Sequence, residues 1–134
     1  MLLAVGVAAG ALFTGSEGQS LSPQAELALS RFDDGPAGAH GEVLVAGGGD
    51  RASLDVGGLE PSDPNRFYEL WLLDANGEMV AVGAFRVGED GRADVQLPLP
   101  LAPSRYQYFD VSLQEDNGDP AHSGVSVLRG PTSS

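Results

Sequence analysis

The chain has 134 residues and a mass of 13.8 kDa, enough for one modest hydrophobic core and too few for a second substantial domain. Nineteen acidic residues against seven basic ones, all arginine, give a formal net charge of -12 and a pI of about 4.2, so a nucleic-acid backbone would be repelled over most of the surface. The absence of cysteine excludes disulfides, thiolate nucleophiles, iron–sulfur clusters and cysteine-liganded zinc, and leaves only His40 and His122 for a metal.

The amino terminus, MLLAVGVAAGALFTG, is uncharged over residues 1–15. As a helix it would reach roughly 22 Å against a hydrocarbon core of about 30 Å. Three readings stay open: a short or amino-terminally truncated membrane span, a signal-like segment lacking a basic start, and a buried soluble helix. The first two place the rest of the chain outside the cytoplasm.

Residues 16–40 read as a juxtamembrane linker or stalk. Within it Ser22, Pro23 and Glu26 have the order of an N-cap, a first-turn proline and a first-turn acid, which predicts a helix of two or three turns ending before Asp33-Asp34-Gly35-Pro36.

From Gly41 the apolar period becomes two, as in half-buried strands. Segments 42–46 and 51–56 flank Gly47-Gly48-Gly49-Asp50, a hairpin. Phe67 to Leu73 is the strongest strand, with large side chains at consecutive positions and Trp71 as its core candidate. Asn76-Gly77 suits a tight turn into 79–85, Gly88-Glu89-Asp90-Gly91 makes another, and 92–97 alternates cleanly. Pro98, Pro100 and Pro103 forbid regular pairing over 98–105. Segments 108–114 and 125–129 complete the set. About seven short strands without a helical period predict an all-β antiparallel sandwich or small barrel over 41–130, preceded by an apolar amino-terminal helix and a stalk and followed by a tail at 131–134.

No segment carries an enzyme signature. Most acids sit at turns, where Asp and Asn bond the local backbone. Glu115, Asn117 and Asp119 around Gly118 weakly resemble a calcium loop, but no glutamate closes it. Asp119, His122 and Ser123 share one short loop, whereas a catalytic triad converges from separate elements; a loop-stabilising hydrogen bond is the expected role of His122. Gly47-Gly48-Gly49 has no following helix or lysine to cradle a phosphate. No catalytic residue, cofactor or metal ligand is therefore assigned.

Two segments together, Tyr68-Glu69-Leu70-Trp71-Leu72 with Gly83-Ala84-Phe85, and Phe109 to Gln114 running into Gly118-Asp119-Pro120-Ala121-His122-Ser123-Gly124 and on to Gly130, resemble the carboxy-terminal domain of actinobacterial membrane-anchored anti-sigma factors of the anti-sigma-K type. The resemblance implies an extracytoplasmic β-domain on the plasma membrane, with a single amino-terminal membrane helix. It implies regulation of sigma factor activity, and so of transcription, through signal-dependent proteolysis by a site-specific protease and a sensor protein. Sigma binding would belong to a cytoplasmic domain that this sequence lacks. It also marks Tyr68, Trp71, Gly83, Asp119, Pro120, His122, Ser123 and Gly124 as structural signatures of the fold. Set against this is a β-sandwich binding module, secreted or tethered and unconnected to sigma factors, using the proline-rich 98–105 region with Tyr106 and Tyr108 as anchors.

Overall fold

Alternating inward and outward side chains organise residues 23–133, the part of the chain that the computed structural model describes, into eight antiparallel strands. They are β1 Pro23–Arg31, β2 His40–Ala46, β3 Arg51–Gly57, β4 Arg66–Leu73, β5 Met79–Phe85, β6 Ala93–Pro98, β7 Tyr108–Glu115 and β8 Ser126–Pro131. A single 3-10 turn, Pro103–Arg105, lies in the predicted proline loop. The strands form one sheet in the order β5-β4-β7-β8-β1-β2-β3-β6. The sheet curls until its end strands meet, with Leu97 of β6 against Gly83 of β5 and no ladder joining them, so the architecture is a nearly closed barrel.

All seven predicted strands form. The eighth, β1, corrects the reading of this stretch as a connector with a short helix. Leu27 and Leu29 point into the core while Glu26, Ala28 and Ser30 face out, a period of two that a helix would scramble. β2 completes the switch by pairing with β1 from Pro23↔Ala46 to Ser30↔His40. The fold therefore includes Pro23–Arg31 and the 32–39 turn, where Phe32 and Asp34 donate backbone hydrogen bonds to Val127 and Ser126. The expected helix over 1–15 and its connection through Ser22 lie outside the described residues. Among those described, no helix is long and apolar enough to cross a membrane.

The interior is filled by the inward faces of all eight strands, with Leu54, Leu70, Leu72, Phe109, Val111 and Leu128 fully buried. Tyr68 lies on the same inner face, its ring stacked on Phe85 at 5.8 Å and its hydroxyl donating to the Glu60 carbonyl at 2.8 Å. Turn chemistry sets the register: Gly77 has φ +84°, and Asp74 Oδ1 accepts from the amides of Asn76 and Glu78. The sheet is thinnest at β1–β8, where only Ser30↔Arg129 and Arg31↔Leu128 pair. Here Gly130 passes so close to β1 that a Cβ would collide with the carbonyl oxygen of Ala28.

Candidate functional site

On β4 the consecutive large residues predicted packing on both faces, and the second face is where the site lies. Tyr68, Leu70 and Leu72 enter the core; Glu69, Trp71 and Leu73 project from the outside of the barrel. Next to them, β7 alternates Phe109, Val111 and Leu113 inward with Asp110, Ser112 and Gln114 outward, and the register sets Trp71 opposite Asp110 and Glu69 opposite Ser112. An uncovered outer face would leave these side chains wet. Instead Asp110 and Ser112 are fully buried and Gln114 nearly so, because the β7–β8 connection folds back over them. Trp71 is thus buried as expected but beneath this loop, outside the main core.

Two hydrogen-bonded chains tie the loop down. In one, Trp71 Nε1 donates to Ser112 Oγ at 2.9 Å and Ser112 donates to Gln114 Oε1 at 2.8 Å. Gln114 then holds the loop twice, donating to the Ala121 carbonyl and accepting from the Ser123 amide, each at 2.9 Å. In the other, His122 Nε2 meets Asp110 Oδ1 at 2.9 Å while the Gly124 amide donates to Nδ1 at 2.9 Å. A donor at Nδ1 leaves the ring proton on Nε2, so His122 donates to Asp110 as the neutral tautomer. The other carboxylate oxygen accepts from Arg129 Nε at 3.0 Å and from its terminal nitrogen at 2.8 Å. The guanidinium lies over Phe32 at 4.1 Å and near Tyr108 at 5.9 Å. The imidazole also packs on Trp71, with ring centroids 5.1 Å apart. Burial pushes the Glu69 carboxyl upward.

The geometry separates the marked residues. Trp71, Asp119, Pro120, His122, Ser123 and Gly124 belong to this outer assembly: Asp119 Oδ1 accepts from the Ala121 amide, and Gly124 takes φ +86° so that its amide reaches His122. Tyr68 faces the core, and Gly83 sits where β5 touches Leu97. No nucleophile is assembled on His122. Ser123 Oγ donates to the Leu113 carbonyl and accepts from the Val125 amide. Ser126 Oγ, 3.5 Å from Nε2, shares that nitrogen with Asp110, whereas a relay needs serine and acid on opposite ring nitrogens. Asn117 Oδ1 accepts from the Asp119 amide, and among the described residues no group of three metal-ligating side chains converges. Tyr106 is half-buried, and Tyr108 is 41% exposed beside Arg129. Sequence reasoning missed Asp110, Ser112, Gln114 and Arg129; their one signal was three outward polar residues on β7 followed by a connection long enough to cover them.

Fold and site define a small all-β domain whose outer face is closed by its own loop through a buried ionic and hydrogen-bonded brace. The chain belongs to the family of anti-sigma-K factor RskA carboxy-terminal domains, whose family model matches residues 1–126, a span that includes Trp71 and the whole His122 loop. The family is one of anti-sigma factors, which are regulators of sigma factors. No curated protein and no solved structure matches the chain.

Proposed function

We propose that this domain is the extracytoplasmic part of a membrane-anchored anti-sigma factor and that it controls, by staying folded, when the chain is proteolysed and the sigma factor released. The observation that carries the reading is the place of β1. The first of the described strands is interior to the sheet, between β8 and β2, and Leu27 and Leu29 are part of the core. A protease binds its substrate as an extended, unpaired strand, and in β1 the backbone is held by β2 along its length. Only the seven residues 16–22 separate β1 from the apolar run, so an intact barrel would stand close to the bilayer and crowd the approach of a protease. Sigma binding itself would fall to a cytoplasmic segment, because no cysteine is available for a zinc-binding sigma-recognition domain of the cysteine-containing kind.

Two fusions to Ser134 in bacterial cells test the topology. Alkaline phosphatase, active only outside the cytoplasm, is expected to be active and a cytoplasmic fluorescent protein dark; the reverse pattern overturns the proposal. Core variants such as Leu27→Ala, introduced into the chain with its native upstream sequence, are expected to raise cleavage and sigma-dependent transcription without the inducing signal. Unchanged cleavage from an unfolded domain would remove the proteolytic part.

A further inference from the structure

Among the described residues, glycine follows Asn or Asp at Asp34-Gly35, Asn76-Gly77, Asp90-Gly91 and Asn117-Gly118. A glycine has no Cβ to hinder its own nitrogen from reaching the carboxyl or carboxamide carbon of the residue before it. In three of these pairs that nitrogen is occupied. Gly35 donates to the Phe32 carbonyl and Gly91 to that of Gly88, each at 2.9 Å, and Gly77 donates to the Asp74 carbonyl at 3.2 Å. The Gly118 amide has no acceptor among the described residues, and apart from its chain neighbours nothing lies within 4 Å of its Cβ position.

The two asparagines are both exposed, but their carboxamides are held differently. Asn117 Oδ1 accepts from the Asp119 amide at 3.0 Å. That bond closes a ring containing the Gly118 nitrogen, so the carboxamide is kept beside it. It also puts a donor on the oxygen that takes up negative charge when a nucleophile adds to Cγ. Asn76 is held instead through its main-chain amide, by Asp74 Oδ1.

We propose that Asn117 is a self-modifying site, converted in the folded protein to isoaspartate and aspartate through a cyclic imide, and that this conversion loosens the β7–β8 loop. The Gly118 nitrogen gives its proton to hydroxide and bonds to Asn117 Cγ, while the carbonyl electron pair moves onto Oδ1 under the Asp119 amide. The Cγ–Nδ2 bond then breaks, and that nitrogen, protonated by water, leaves as ammonia. Water opens the imide at either carbonyl: cleavage at Cγ leaves aspartate, and cleavage at the main-chain carbonyl leaves isoaspartate. One water is consumed and one ammonia released, with no change of oxidation state. The product sets a new negative charge among Glu115, Asp116 and Asp119, and isoaspartate lengthens the main chain by one carbon. Both effects pull against the bonds from Gln114 to Ala121 and Ser123 and from His122 to Asp110 that hold the loop down.

In the test, the purified full chain is incubated at neutral and at mildly alkaline pH and digested. The peptides carrying residues 76 and 117 are followed by mass spectrometry, with fragmentation to tell isoaspartate from aspartate. In the folded chain Asn117 is expected to convert roughly tenfold faster than Asn76, because a hydrogen bond must first break at Gly77, and to do so faster at the higher pH. In denaturant, where both Asn-Gly pairs meet the same solvent, the two rates should converge. Absence of conversion at Asn117, equal rates in the folded chain, or a ratio that denaturant leaves unchanged each overturns the assignment. Aged wild type, separated by its added charge on an anion exchanger, should show red-shifted Trp71 emission, whereas Asn117→Gln, whose longer side chain disfavours the imide, should keep its original emission on ageing. Unchanged emission from the converted protein, or an equal shift in Asn117→Gln, overturns the loosening. None of these readouts depends on sigma factors or membrane topology, so they can fail while the functional reading stands, and the converse.

Discussion

His122 and Asp110, on a loop and on the strand beneath it, meet at 2.9 Å, and the Gly124 amide fixes the opposite ring nitrogen of His122. The ring therefore works as a rivet with one proton in one defined place. It joins the β7–β8 loop to a carboxylate that has no exposure to water.

Replacing the rivet tests it directly. His122→Ala leaves Asp110 Oδ1 without its donor and frees the loop from Trp71, a loss of about 2 kcal/mol in unfolding free energy. Trp71 is the single tryptophan, so its fluorescence reports on this site alone. A red-shifted emission in the folded variant is expected, as water reaches the indole. Unchanged emission together with unchanged stability would show that the loop is held by other means.

Arg129 supplies both hydrogen bonds to the second oxygen of Asp110. Removing it strands a buried charge, and Arg129→Ala should cost about 3 kcal/mol. Arg129→Lys should recover only part of that, since an ammonium cannot reproduce the paired geometry or the stacking on Phe32. Adding Asp110→Asn to Arg129→Ala should restore stability, because the uncompensated charge is then gone. Chemical denaturation of wild type, Arg129→Ala, Asp110→Asn and the double variant closes the cycle, and strictly additive losses would exclude the pairing as the source.

On the far side of the barrel, the register sets Glu42 opposite Asp55 and Asp55 opposite Asp94, three carboxylates abreast. Burial first, then Glu26 and Asp55, pushes the Glu42 carboxyl up; burial and Asp55 do the same to Asp94. A carboxyl raised in the folded state binds its proton more readily there than in the unfolded chain. Its stabilising contribution is complete below the ordinary carboxylate range, about pH 4, and is lost as pH rises through the raised values. Asp63 works in the opposite sense: its hydrogen bond from Arg66, then that from the Asn65 amide, lowers it, and that contribution is lost in acid. Asp55→Asn is expected to stabilise the domain at neutral pH by a few tenths of a kcal/mol after solvent screening, and to flatten the gain on mild acidification. Melting temperatures of wild type and variant between pH 4 and 7 decide it; parallel curves would rule the ladder out.

The strands from Gly41 onward were legible because each either alternates or, as in Phe67–Leu73 and Met79–Phe85, is a short apolar run, and turn residues such as Gly, Pro, Asn and Asp punctuate them. β1 was not, since Ser22-Pro23 and Glu26 carry helix-start chemistry while Leu27 and Leu29 carry the strand period, and pairing with β2 decided between them. The site was half legible. His122 drew notice as a rare residue in a turn-rich loop, and a local hydrogen bond was the expected role. Its partner Asp110, 12 residues upstream, and Arg129, which holds the other oxygen of that carboxylate from seven residues downstream, are joined to it only by the folding back of the loop over β7. Alternation alone assigns Asp110 and Ser112 to solvent, and it carries no information about a second covering layer.

The β1–β8 junction yields a prediction from pure steric grounds. Gly130 does not take a positive φ, yet a Cβ there would run into the Ala28 carbonyl and press on Leu29. Backbone cannot yield as a flexible side chain would, so Gly130→Ala must part the strands where only two residue pairs join them. A cost of about 2–3 kcal/mol is expected, with faster amide exchange at Ser30 and Arg31 than in wild type. Gly38→Ala is the matched control: nothing lies within 4 Å of its Cβ position, so the change should be neutral or slightly stabilising through the unfolded chain. Equal effects of the two substitutions would mean that the junction is not a tight backbone crossing. A selective loss at Gly130 would identify it as the place where β1 separates first from the rest of the sheet.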